Sequence, residues 1–303
     1  MKTVTKLVLF ATALALVFTA SVWAGAAVLP FNSAFLSPPA AHRAAPTHAT
    51  HAGDPASVRG LSLSDGDLML AALTAPTTVA AHGTLSFRIE TTAGTPVTRF
   101  ETENTKQLHL IVVRSDGTQF RHAHPVMSAD GQWSIPWTWD AAGTYRVFTD
   151  FVSATTGSGT VLSDTLDVGG LFTPRGTPAT STISNVDEFT ITLDGTVTTR
   201  TMSTVTATVT RGGRRVTTLQ PYLGAYGHLV MLRNGDLAYL HAHPDGPAAT
   251  TGSISGPRIS FRTDPPTPGR YLLYLDFQVD QQAHTAQFVI DVGAPADRSP
   301  THH

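Results

Sequence analysis

Histidines stand at 109, 122 and 124 in LHLIVVRSDGTQFRHAHP (residues 108–125) and at 228, 241 and 243 in GHLVMLRNGDLAYLHAHP (residues 227–244). Neutral imidazole is the commonest protein ligand for metals, and its nitrogens reach Zn(II) at about 2.0–2.1 Å. Three imidazoles can share one ion only if they leave one face of the backbone. In the second stretch Asn234-Gly235 is a two-residue type I′ turn signal, because both central positions need positive φ. Counting outward sets Arg233 against Asp236 and His228 against His241, and a strand's period of two puts His243 on the face of His241. In the first stretch the turn centres on Ser115-Asp116 or on Asp116-Gly117, pairing His109 with His122 or with His124. Both registers keep His109, His122 and His124 on one face. The pattern predicts one tri-imidazole patch in each stretch.

Two carboxylates lie within strand-like segments, Asp150 in VFTDF and Asp276 in YLDF, with the parity of Phe148 and Tyr274. Each either completes a nitrogen and oxygen set suited to Cu(II), Zn(II) or Ni(II), with copper favoured by the Irving–Williams order, or satisfies buried backbone donors at a strand end. His284 is either a further ligand of the second patch or a surface histidine, since Thr160 occupies the matching place in the first half. Thioethers select Cu(I), and only Met127 falls near a patch, so the expected ion is Cu(II) or Zn(II). The competing reading is architectural: histidines that bond buried carbonyls or stack on Tyr145 and Tyr271. Three at matched spacing, twice, favour metal over hydrogen bonding alone.

The two stretches belong to a longer duplication. His109, Arg114, His122, His124 and Pro125 recur 119 residues later as His228, Arg233, His241, His243 and Pro244. Gly143, Tyr145, Asp150 and Phe151 recur 126 residues later as Gly269, Tyr271, Asp276 and Phe277. LSFRIE, FTITL and TVTATVT alternate apolar with polar, and Trp133, Ile135, Trp137 and Trp139 share one parity, which marks core. Gly, Pro, Asn and Asp punctuate the chain at strand-length intervals, and long helical periods are absent. The expected fold is all-β: two tandem, duplicated immunoglobulin-like or cupredoxin-like antiparallel β-sandwiches, over 64–169 and 186–293, joined by a linker over 170–185 and followed by a tail over 294–303. The Gly-x-Tyr starts of AGTYRVF and PGRYLLY mark the same fold class.

Composition narrows the functions. The 303 residues carry a formal net charge of −2 with 14% charged residues and no basic cluster, so nucleic acid is not an expected partner. The absence of cysteine excludes disulfides, thiolate zinc sites, iron–sulfur clusters and thiolate-ligated blue copper. Lys2 and Lys6 precede an apolar, helix-forming stretch from Leu7 to Val28. Residues 1–29 are therefore expected to be a signal anchor or a cleaved signal peptide, either of which leaves the body extracytoplasmic. The Ala, Pro and His-rich segment 30–63, with His42, His48 and His51, reads as a spacer.

Together, GHLVMLRNGDLAYLHAHP and the following PGRYLLYLDFQVDQQAHTAQFVI resemble exported or membrane-anchored actinobacterial proteins labelled heavy-metal-binding or simply secreted proteins of unknown function, over most of residues 61–293. The resemblance implies an extracytoplasmic, copper-related role. The leading expectation is non-enzymatic binding of copper or zinc through one tri-histidine site per domain. The alternative is an interaction module of two immunoglobulin-like domains on an anchored stalk, contacting another exported protein. Catalysis is not expected, since no nucleophile elbow, phosphate loop or His-Glu-x-x-His helix is present.

Overall fold

The computed structural model describes residues 58–294, apart from Asn104, Thr177, Pro247, Ala248 and Thr251 and the side chain of His241. The apolar stretch Leu7–Val28, the spacer histidines and the tail from residue 295 lie outside the described residues. Among the described residues no helix is long and apolar enough to cross a membrane.

Among the described residues eighteen strands follow one another, nine in each copy. The first copy holds β1 (Ser64–Asp65), β2 (Leu68–Thr74), β3 (Gly83–Thr91), β4 (His109–Arg114), β5 (Arg121–Ala123), β6 (Val126–Met127), β7 (Gln132–Trp137), β8 (Gly143–Val152) and β9 (Gly159–Val168). The second holds β10 (Ile183–Val186), β11 (Phe189–Asp194), β12 (Ser203–Arg211), β13 (Arg214–Arg215), β14 (Gly227–Arg233), β15 (Tyr239–Pro244), β16 (Arg258–Thr263), β17 (Gly269–Val279) and β18 (Gln282–Val292). One sheet of the first copy runs β1-β2-β3-β7-β6 and the facing sheet β5-β4-β8-β9. The second copy repeats this as β10-β11-β12-β16 and β15-β14-β17-β18, with β15 joining both. All pairings between these strands are antiparallel, giving two immunoglobulin-like sandwiches, five strands on four in the first copy and four on four in the second, where the short β13 adds to β12. Copy 2 starts earlier than expected, because β10 opens at Ile183, inside the segment read as linker.

Each sandwich closes on its own core. Phe87, Phe100, Trp133, Trp139, Tyr145 and Phe151 fill the first; Phe189, Phe261, Tyr271, Phe277 and Phe288 fill the second. The paired tyrosines are corner residues. The Tyr145 hydroxyl donates to the carbonyl of Ala141 at 2.8 Å and that of Tyr271 to Thr267 at 2.9 Å, each four residues upstream. This is the tyrosine corner of immunoglobulin-like sandwiches.

A third cluster lies between the copies. β4 reads HLIVVR and is buried at every position, because Leu110 and Val112 face their own core while Ile111 and Val113 face the other copy. In β14, Leu229 and Met231 turn inward while Val230 and Leu232 meet Ile111 and Val113. The arrangement is reciprocal. Phe120 stacks on Tyr274 at 4.0 Å and 4°, and Tyr239, 119 residues after Phe120, lies 5.4 Å from Phe148, the repeat partner of Tyr274. The Tyr274 hydroxyl donates to Gly117 across the interface at 2.5 Å. Gly117 has φ +75°, and a Cβ there would stand 2.3 Å from Leu272, so this turn needs glycine on both counts.

Candidate functional site: a histidine cluster between the copies

The β4–β5 ladder pairs Leu110 with Ala123 and Ile111 with His122. This is the register that sets His109 against His124. His122 shares the face of Ile111, so His109, His122 and His124 all leave the sheet toward the second copy. His109 Nδ1 lies 3.0 Å from His122 Nε2 and 3.2 Å from His124 Nε2. The ligand atoms of the three all lie within 4.8 Å of one another.

Neighbours offer each ring a partner for its proton. His109 Nε2 is 3.4 Å from the carbonyl oxygen of Glu103, so the tautomer with its proton on Nε2 donates there and turns the Nδ1 lone pair to the cluster. His122 Nδ1 donates to Asp276 Oδ2 of the second copy at 2.9 Å, which leaves a lone pair on its Nε2. Both partners are buried, with side-chain exposures of 3% and 7%. Asp276 Oδ1 in turn accepts from the Thr285 hydroxyl at 2.5 Å. The 3.0 Å between His109 Nδ1 and His122 Nε2 suits a hydrogen bond when His109 is protonated on Nδ1, and two lone pairs turned toward one cation when it is protonated on Nε2. Burial first, then the neighbouring His122, His109 and Lys106, pushes His124 down to about 2, so this imidazole stays neutral near pH 7.

The other sequence candidates fall in different places. Asp150 stands opposite His109 on β8, and its Oδ2 accepts from the Tyr239 hydroxyl of the second copy at 2.9 Å. Asp276 backs the His122 ring through Nδ1. The two carboxylates hold groups around the cluster and do not stand among its converging nitrogens. His228 does reach the interface: it is 3% exposed, with ring centroids 6.1 Å from His109 and 5.7 Å from His122.

The two-residue turn in the second hairpin is corrected by the structure. Val230 pairs with His241 and Leu232 with Tyr239, a shift of two from the expected register. The loop widens to residues 234–237, with Arg233 N bonded to Ala238 O and Leu237 N to Arg233 O, both at 2.9 Å. Asp236 drives this by pairing with the Arg233 guanidinium and capping the Ala238 amide, while Leu237, at φ +58°, drops into the interface core. After Ala242 the strand changes sheets, and His243 pairs with Arg262 of β16. His243 is exposed as a result. In the first copy the equivalent crossing begins only at Val126, against Ser134. A second tri-histidine patch is therefore not gathered among the described side chains, of which the cluster draws three rings from one copy and one from the other.

His284 is separated from the cluster. It pairs with Phe277 on the face that looks into copy 2's own core, the opposite face from Asp276, and its Nδ1 lies 2.6 Å from Asp187 Oδ2 between the rings of Phe189 and Phe277. Glu103, Tyr222 and Tyr239 escaped the sequence reading, the first two because they act through backbone carbonyls. The all-apolar runs LIVV after His109 and LVML after His228 did carry a signal: a strand apolar on both parities is covered on both faces.

A family model described as "Domain of unknown function (DUF8832)" matches residues 64–168 and again residues 184–294. No curated protein matches the chain. Among solved structures, the Escherichia coli adhesin FdeC is 14% identical, covering 77% of this chain and 66% of its own, at a TM-score of 0.24. The fibronectin(III)-like modules of Clostridium thermocellum CbhA are 11% identical over 78% of this chain and 100% of theirs, at 0.20. A putative membrane-anchored protein from Corynebacterium diphtheriae is 10% identical over 76% and 60%, at 0.22. This chain spans less than two thirds of the adhesin. Likenesses at these levels say nothing of ligand or partner.

Proposed function

The chain belongs to this family of unknown function, and from the geometry between its copies we propose an exported, non-enzymatic binding protein that holds a copper or zinc ion at that interface. The observation that supports it is the approach of three imidazole nitrogens on one face, His109 Nδ1 lying 3.0 Å from His122 Nε2 and 3.2 Å from His124 Nε2. Two nitrogens at about 2.0–2.1 Å from a tetrahedral zinc ion are about 3.3–3.4 Å apart, so a small relaxation would seat the ion. Asp276 behind His122 is the carboxylate–histidine pairing that orients metal-bound imidazoles.

The extracytoplasmic location belongs to the same proposal and rests on the Lys2, Lys6 and Leu7–Val28 pattern. The second reading, an interaction module of two immunoglobulin-like domains with no metal role, is favoured by the histidines' own bonds to Asp276 and to backbone carbonyls, which hold the rings in place without an ion. Calorimetric titration of the metal-free chain with Cu(II) and Zn(II), beside a variant with His109, His122 and His124 all changed to Ala, separates the two. One tight equivalent, lost in a variant that keeps its β-sheet circular dichroism, is the expected result. Equal titrations of both proteins would leave the histidines as architecture.

A further inference from the structure

Because the three nitrogens of the cluster come from one copy, a zinc-like ion would still have one position to fill. We infer that His228 Nδ1 fills it, making the site a four-imidazole clasp shared between the two copies; this inference rests on the metal reading above. The argument starts from the duplication. His109 and His228 are repeat equivalents, and each points Nε2 at a carbonyl six residues upstream: His109 at Glu103, and His228 at Tyr222, at 2.8 Å. A carbonyl only accepts, so His228 carries its proton on Nε2 and offers Nδ1 as a lone pair, the same atom that His109 turns to the cluster.

Ring spacing gives a second, independent line. Four imidazoles about 2.0–2.1 Å from one tetrahedral ion place their ring centroids about 5.2 Å apart. Within the triad the centroids are 5.2, 5.0 and 4.7 Å apart. His228 stands 6.1 Å from His109 and 5.7 Å from His122, within about 1 Å of the spacing that a shared ion sets for those two pairs. Its place is set by β14, which pairs along β17 with His228 opposite Asp276, the residue that steadies His122. One carboxylate thus sits beside the first copy's ligand and the second copy's ligand together. Four neutral nitrogens suit Zn(II) and Cu(II), and filling the last position removes the open coordination that a hydrolytic zinc enzyme keeps for water.

The test counts nitrogens on the chain as it is and then removes one. Wild-type protein loaded with one equivalent of Zn(II) is expected to give an X-ray absorption spectrum fitted by four imidazoles at zinc. Three imidazoles plus an oxygen would overturn the inference and leave the triad reading standing. His228→Gln, which retains an N–H for the Tyr222 carbonyl, is expected to bind one equivalent more weakly by over the roughly 10–100-fold that loss of an outer-shell partner brings. Unchanged affinity in a folded His228→Gln protein would overturn the inference. Wild-type protein that takes up neither Zn(II) nor Cu(II) would overturn it together with the metal reading.

Discussion

Asp276 is the residue on which the two copies and the cluster meet, since one oxygen accepts from His122 of the first copy and the other from Thr285 of the second. Asp276→Asn keeps the volume and leaves His122 an oxygen acceptor without its charge. Cu(II) or Zn(II) affinity is expected to fall about 10–100-fold, measured by competition titration, with the β-sheet signal retained. A second buried carboxylate has a different task. Asp116 closes the β4–β5 turn, where burial opposes its charge, but hydrogen bonds from the Arg114 guanidinium, the Arg175 amide and the Thr118 hydroxyl and amide outweigh burial and hold its carboxyl well below the usual range. Its unfolded value is about 3.9, so this stabilisation is present above that pH and is lost as the pH falls below it. Asp116→Asn is expected to lower stability at pH 7 by about 1–3 kcal/mol and to flatten the loss of stability below about pH 4. A wild-type acid limb unchanged by the substitution would remove Asp116 from the account of stability.

At the scale of elements, parity was legible and register was not. The period of two carried His109, His122 and His124 onto one face under either register, and a shift of two in the second hairpin preserved the same parity. The widened turn was hidden because the Asn234-Gly235 signal outweighed two features: the Arg233–Asp236 pairing with its cap on Ala238, and the place of Leu237 in a core made with the other copy, which no local turn rule contains. The point where β15 leaves β14 for β16 was hidden because it depends on pairing with a strand distant in sequence, and at that point His243 faces solvent. The duplication was plain in the spacing, and the Gly-x-Tyr starts marked the fold class, while the bonds of the two tyrosine hydroxyls came only with the structure. Another hidden element is the segment before β1, read from the sequence as spacer: Tyr239 N bonds to Arg59 O at 3.0 Å and Ser163 N to Ser62 O at 2.9 Å, so it straps β15 of one copy to β9 of the other. Gly60 within it has φ +69°, and a Cβ there would lie 2.6 Å from Tyr239 Cβ. Gly60→Ala is therefore expected to cost about 1–2 kcal/mol from left-handed backbone alone, read as a lower midpoint in denaturant. A neutral substitution would mean that the strap does not hold in solution.

Across the whole molecule the two copies behave as a dimer written in one chain, with the reciprocal pairs Phe120–Tyr274 and Tyr239–Phe148 standing where a two-fold interface would repeat itself. Each sandwich has a separate core, so the contact between them can be broken without emptying either. Ile111 is the residue to change, being fully buried in the shared cluster while its strand neighbours Leu110 and Val112 keep the first core. A carboxylate at that place would have no partner, and burying it would cost more than separating the copies. Wild-type protein is expected to unfold in one calorimetric transition, and Ile111→Asp in two, the copies having lost their coupling. The metal adds to the same interface: an ion bound only by the docked pair stabilises it by about 2.7 kcal/mol at a free concentration of 100 times its dissociation constant. Zn(II) should therefore raise the wild-type transition and move neither transition of Ile111→Asp by as much. An equal rise in both proteins would place the ion wholly within one copy, and the histidines of the other would then owe their position to packing.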